Sequence, residues 1–255
     1  MKASITQNKA AQKIGLFCIC ILVWQVVSLF YPPVVLPGPV ATAEAFLRLF
    51  TTDRFLSDIL VSTYRLIVGI TGAVVIGCTL GILMGISRGP RQLIEPLIYF
   101  IQGIPPILYM TLAMIWFGLN GRATIFIVFI VSMPVMAVNI EEGFQNIDPK
   151  LMEMGENFKF SRTEILKSIV LPSLKSYFKS GFIIVAGLGW KLVVMGEFLS
   201  ASTGLGARIT DARVNLETEK VFAWGLVIIV LCLLSQKAAS VTFPLPKKKR
   251  KSHAF

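Results

Sequence analysis

Six stretches of this chain stay apolar over about the thickness of a bilayer's hydrocarbon core, and nothing else in it limits folding as much. They cover roughly 14–31, 66–86, 93–119, 123–138, 178–199 and 221–241. A helix needs ~20 consecutive apolar residues to cross ~30 Å of hydrocarbon. In lipid every backbone N–H and C=O must find a partner inside the protein, which leaves only helices and closed barrels. Barrel strands alternate polar and apolar residues over ~10 positions, whereas these runs are longer and continuous. The expectation is an all-α membrane protein with six transmembrane helices. The 255 residues are 55% hydrophobic and 15% charged, against ~25% charged in a soluble domain. That leaves material for one membrane domain and none for a large soluble domain beside it.

The net charge of +11 does not point to nucleic acid, because it is not spread over one soluble face. It sits in the segments between apolar runs, where Lys and Arg set orientation. With the N-terminus inside, seventeen of the 25 Lys and Arg fall on inner segments and seven on outer ones, with Lys191 inside a span. Six crossings with both termini in the cytoplasm are therefore expected. The run Lys247-Lys248-Lys249-Arg250-Lys251 would then rest on an anionic inner leaflet, at ~1 kcal/mol per charge. The first apolar run follows Lys2, Lys9 and Lys13, as a signal peptide would. Tyr31-Pro32-Pro33 offers no small-residue cleavage site, so it reads as an uncleaved first span. Cys18, Cys20, Cys78 and Cys232 lie in apolar runs, and the single histidine, His253, is in the tail. That pattern suits packed small side chains rather than a disulfide or metal site.

Gly77, Gly81 and Gly85, four apart, share one face of the second span, where bare backbone admits a second helix closely. Whether that helix belongs to the same chain is left open. Pro105-Pro106 in the third run removes two backbone donors and should break or kink that helix. Such a break is tolerated in lipid where it is buried in protein or faces water, so these prolines are candidates for lining a path, with a plain structural kink as the alternative.

Residues 139–173 are too polar for lipid and too patterned for a linker. Asp148-Pro149 reads as an N-cap followed by proline at the first helical position, with a helix expected over 149–158. Ser161-Arg162-Thr163-Glu164 has capping-box spacing. A second helix should run to about Val170, where Pro172 stops it. Leu151, Met152, Met154 and Phe158 have helical spacing on the first of these helices. An exposed apolar face of that kind suits a groove in a partner protein, or alternatively a membrane surface.

This loop resembles the cytoplasmic signature of binding-protein-dependent ABC transporter permeases: Glu-Ala-Ala, three residues, Gly, nine residues, Ile, one residue, Leu-Pro. Here Glu153-Met154-Gly155 fill the triplet, Lys159 stands where the glycine belongs, and Ile169 and Leu171-Pro172 follow in register. The departures are Met154, Gly155 and Lys159, the last bearing on the turn. The likeness extends over roughly 36–241. Leu36-Pro37-Gly38-Pro39, Ser87-Arg88, Gly103-Ile104-Pro105-Pro106, Trp116-Phe117-Gly118, Trp190 through Glu197 and Gly204-Leu205-Gly206 are similar to the nitrate, sulfonate, taurine and bicarbonate branch.

The resemblance implies a type I ABC importer permease fold in the bacterial inner membrane. Residues 1–57 would carry the first helix and a periplasmic loop, 58–241 the permease domain and 242–255 a basic tail. It also implies a separate ABC ATPase docked on 151–159, a periplasmic solute-binding protein and a second permease copy, a homodimer being the expectation. The chain itself would be non-catalytic and without cofactor. ATP and Mg belong to the ATPase, and no Gly-Lys-Ser/Thr phosphate loop occurs here.

Lys191 and Glu197 fall within the fifth span, where a charge costs at least ~2.5–3.5 kcal/mol, and with Trp190 they are further candidates for lining a path. Six residues apart, they do not share a helix face. Glu197 lies near the outer end, within reach of water. Lys191 either faces the path and attracts an anionic solute, or pairs with a buried acid or snorkels. An anion would favour sulfonate, nitrate or carboxylate over a neutral or cationic vitamin precursor. An ion-coupled secondary transporter would need further span carboxylates, and a membrane enzyme a catalytic constellation.

Overall fold

The computed structural model describes residues 2–242, so the lysine run at 247–251 and His253 lie outside the described residues. The described residues form helices joined by short turns: α1 (Lys2–Ser28), α2 (Pro39–Leu49), α3 (Phe55–Ile86), α4 (Arg88–Gly103), α5 (Pro106–Phe117), α6 (Gly121–Gln145), α7 (Pro149–Asn157), α8 (Arg162–Ile165), a π-helical turn (Leu166–Val170), α9 (Leu171–Ser200), α10 (Leu205–Val214) and α11 (Thr218–Thr242). Four of these, α3, α6, α11 and the continuous Arg162–Ser200, are long and apolar enough to cross a membrane. The apolar part of α1, Ile14–Ser28, is shorter.

The third predicted span is two helices meeting at 92°. Ile104 and Pro105 both precede a proline, whose ring excludes the helical region for the residue before it. Both are extended, at ψ 124° and 136°. The Ile101 carbonyl has no donor four residues on, where Pro105 stands, and accepts instead from the Ile104 N–H at 3.4 Å and the Tyr109 hydroxyl at 3.0 Å.

The glycine face finds its partner in the same chain. A Cβ on Gly77 would stand 2.5 Å from the Met133 carbonyl oxygen, and one on Gly81 2.5 Å from that of Ala137. One on Gly85 would enter the Phe144 ring, and Gly69 and Ala73 extend the row, with Gly69 against Val128. Such closeness gives dispersion and weak Cα–H contacts without a hydrophobic drive.

The register of this row fixes topology. Positions 69, 77, 81 and 85 meet 128, 133, 137 and 144, both rising, so α3 and α6 run parallel. The chain between them must recross the bundle, so α4 and α5 form one broken crossing and not a loop that returns to its starting side. α9 runs against α6, since Gly143 meets Leu174 and Gly196 meets Thr124. α11 runs against α9, since Gly187 meets Gln236 and Lys179 donates to the Ser240 carbonyl at 3.1 Å. At the end of the bundle opposite the α7–α8 loop, Trp24 of α1 stacks on Phe222 of α11 at 5.8 Å.

Pro172 does not stop the second loop helix as the sequence suggested. The helix widens to i→i+5 bonding over Leu166–Val170 and continues into α9. A π-turn makes room for a ring that would clash with the carbonyl four residues back.

Replacing Gly81 with Ile should cost about 1–3 kcal/mol or more, because the obstacle is backbone. Gly89→Ala, with open space around it, should leave stability unchanged. Thermal unfolding of both variants in detergent distinguishes a tight seam from ordinary glycine abundance.

Candidate functional site

At one end of the bundle, α7 and α8 form a compact knob between α6 and α9. The Asp148 carboxylate caps α7 by accepting from the Lys150 N–H at 3.0 Å. Ser161 and Glu164 complete a reciprocal capping box: the Ser161 N–H donates to Glu164 at 2.7 Å and the Glu164 N–H to Ser161 Oγ at 3.3 Å. Hydrogen bonds from the Ser161 hydroxyl, then its backbone, hold the Glu164 carboxyl below its ordinary range. This contribution is present above the ordinary carboxylate pKa, and hence at neutral pH. It is lost only as acid protonates the group through its lowered folded value.

Lys159 answers the question raised by the missing glycine. It takes the left-handed conformation itself, at φ 55°. Its N–H donates to Glu156 at 2.9 Å and the Phe160 N–H to Gly155 at 2.9 Å, the paired bonds of a Schellman ending. The turn is kept, at a steric cost glycine would avoid. Gly155 is buried, and a Cβ there would stand 3.1 Å from Ile169, so this small residue lets α7 lie on the π-turn.

The outcome is an apolar face turned outward. Leu151, Met154 and Phe158 are exposed, Phe158 at 71%, and Met152 is half-buried. Glu153, Lys159, Leu171 and Pro172 are exposed as well, while Ile169 supports the knob from within.

At the opposite end lies a cluster that sequence reading did not assemble. Glu197 is fully buried rather than within reach of water. Its carboxylate accepts from Arg65 Nη1 at 2.7 Å, from the Ser62 hydroxyl at 2.8 and 2.9 Å, and from the Gly206 N–H at 3.0 Å. Ser62 Oγ accepts in turn from the Leu205 N–H at 2.9 Å, and Asp58 from the Gly204 N–H at 2.9 Å. Three successive N–H groups at the start of α10 are thus satisfied by side chains of α3 and α9, where the helix dipole favours carboxylates.

Arg65 also donates to the Thr203 carbonyl and hydroxyl, at 2.7 and 2.9 Å. Arg208 Nε lies 3.0 Å from Asp58 Oδ2, which pairs the charges although the N–H is not aimed at the oxygen. Gly204, at φ 101°, has no room for a Cβ beside Glu197, and Gly121 none beside Arg65. Asp58, Ser62 and Arg65 are spaced four and three apart, a helix-face pattern that could have been read. It was obscured by starting the second span at 66.

Of the path candidates, Pro105 is exposed and Pro106 half-buried at the bend. Trp190 is 3% exposed and donates to Ser235 Oγ at 2.9 Å, which places it in the α9–α11 packing. Lys191 is exposed on α9.

The family described as binding-protein-dependent transport system inner membrane component matches residues 73–239. The taurine transport system permease protein TauC of Escherichia coli (strain K12) is 27% identical over 228 residues, covering 87% of this chain and 83% of that protein. The bicarbonate transport system permease protein CmpB of Synechococcus elongatus is 28% identical over 204 residues, 75% of this chain and 73% of that one. Among solved structures, an inward facing conformation of the MetNI methionine ABC transporter superposes with TM-score 0.65 at 16% identity, over 74% of this chain and 94% of that chain. A bacterial ABC transporter involved in import of the polysaccharide alginate does so with TM-score 0.60 at 14% identity, over 92% and 98%. These two share the fold.

Lys159→Gly should raise stability by about 1 kcal/mol, read as a higher unfolding temperature. Glu197→Ala leaves Arg65 buried without its acid and should cost about 3 kcal/mol. It should also open residues 201–214 to protease before the rest of the chain. A variant as protease-resistant as the parent would contradict the clamp.

Proposed function

Because the chain belongs to the family of binding-protein-dependent transport system inner membrane components, we propose a working mechanism for it as the non-catalytic permease subunit of an ABC importer in the inner membrane. The α7–α8 knob seats in a cleft of a separate ATPase, which holds ATP and Mg. A periplasmic binding protein delivers the solute at the opposite end, and two copies of the chain enclose the path. Residues 58–241 form the permease domain, preceded by an added first crossing and outer loop and followed by a basic tail on the inner leaflet.

The observation that carries this reading is the knob itself. An aromatic and aliphatic face is held outward by two caps, a Schellman turn and the Gly155 contact. Ordering an exposed apolar face so firmly has a use only where a partner covers it. Because α9 grows directly out of the knob through the π-turn, a push on α7 and α8 reaches a crossing without an intervening flexible joint.

The solute is read as a small anion such as a sulfonate, taurine, nitrate or bicarbonate. Support comes from the taurine and bicarbonate permeases among the relatives and from the cation on α9. An ion-coupled secondary transporter is disfavoured. The fifth span's one carboxylate, Glu197, already accepts from Arg65, Ser62 and Gly206 and has little left for a coupling ion.

The tagged full-length chain should copurify with an ATPase. Phe158→Asp should reduce the recovered ATPase at least tenfold, about 1.4 kcal/mol of interface, without lowering the permease's own unfolding temperature. Undiminished recovery would remove the knob as the docking element.

A further inference from the structure

We propose that the open face of α9 borders a water-filled passage shared with a second copy of the chain, and that Lys191 is an anion-binding point in it. This rests on the permease reading above.

Ile184, Leu188, Lys191 and Met195 are spaced four, three and four apart and so share one face. The close helix contacts of α9 fall on other parts of its circumference. Gly189 meets Leu66 and Ile70 of α3, Gly181 and Gly196 meet Asn139 and Thr124 of α6, and Gly187 meets Gln236 of α11. On the shared face, Ile184 and Lys191 are exposed and Leu188 and Met195 half-buried. Among the described residues Lys191 has no ion pair and no hydrogen bond.

Depth rules out lipid as its surroundings. At 1.5 Å per residue, Lys191 lies about 4 Å from the middle of the apolar run 178–199. With a ~15 Å half-thickness of hydrocarbon the interface is still ~11 Å away, farther than a four-carbon stem spans by snorkelling. An ammonium left there would cost at least ~2.5–3.5 kcal/mol.

A protein acid does not neutralise it either. The carboxylates inside the bundle are engaged: Glu197 with Arg65, Asp58 with Arg208, and Glu141 and Glu95 with Arg91, while Glu219 lies in the first turn of α11, at the end of that helix away from its contacts with Gly187 and Lys179. Glu142 sits at the far end of α6, beside the knob. A second copy brings the same sequence and so the same engaged acids. A two-fold axis would instead set two Lys191 ammonium groups toward one passage, repelling each other until an anion from solution lies between them. An oxyanion, such as a sulfonate or bicarbonate, accepts from both three-donor groups.

The test uses the full chain with Cys18, Cys20, Cys78 and Cys232 replaced by Ser and Leu188→Cys introduced, in membranes with its ATPase. Two water-soluble reagents are compared: the anionic 2-sulfonatoethyl methanethiosulfonate, itself an alkanesulfonate, and its cationic trimethylammonioethyl counterpart. In each the thiolate displaces methanesulfinate and forms a mixed disulfide. Rates are taken relative to free cysteine. Both reagents should react, the anionic one at least fivefold faster on that scale, and Lys191→Gln should abolish the preference while labelling continues. Absence of reaction with either reagent at both Leu188→Cys and Ile184→Cys, in chains that keep the parental unfolding temperature, would mean the face is in lipid and overturn the proposal. So would a preference unchanged by Lys191→Gln. Because ATPase copurification is measured separately, failure here leaves the permease reading standing.

Discussion

The close contact of α3 with α6 underlies the rest of the architecture. Lipid tails are as apolar as leucine, so two helices gain nothing in a bilayer merely by hiding side chains from it. They gain by approaching until backbone meets backbone, and the row Gly69, Ala73, Gly77, Gly81 and Gly85 permits this along more than four turns. Its rising register makes the two helices parallel. Parallelism in turn obliges the bent α4–α5 pair to recross the bundle and sets the α7–α8 knob and the α10 clamp at opposite ends.

The clamp solves a different problem. α10 begins deep inside protein, where orphaned N–H groups would each cost ~1–3 kcal/mol. Local sequence supplies no cap, since Gly204 has no side chain and stands at φ 101°. Side chains from α3 and α9 replace it, and the buried acid among them is balanced by Arg65 at 2.7 Å. A buried pair of this kind adds little net stability over an apolar packing. Its consequence is geometric: α3, α9 and α10 keep one mutual arrangement at the end of the bundle opposite the knob.

At the knob, physical demand outlasts residue identity. The signature position asks for positive φ, and Lys159 meets that demand at 55° with both Schellman bonds intact. Gly155, in place of an alanine, brings α7 closer to Ile169. The exposed apolar face depends on the ending and the packing together.

Hydropathy, caps and prolines were legible in the chain, because each acts on neighbours within about one helical turn. The apolar runs that became α3, α6, α9 and α11, the Asp148 and Ser161 starts, the break at Pro105-Pro106 and the glycine face could all be read from residues a few positions apart. Tertiary packing alone decided that the glycines face α6 of the same chain, that the broken pair meets at 92°, and that helix continues past Pro172 by widening. It also decided that Glu197 is enclosed and Lys191 open, though they lie six residues apart on one helix. Ser62 and Arg65 reach Glu197 across 135 and 132 residues. No local pattern carries contacts of that separation, since they exist only once the close approach of the helices has fixed which faces meet.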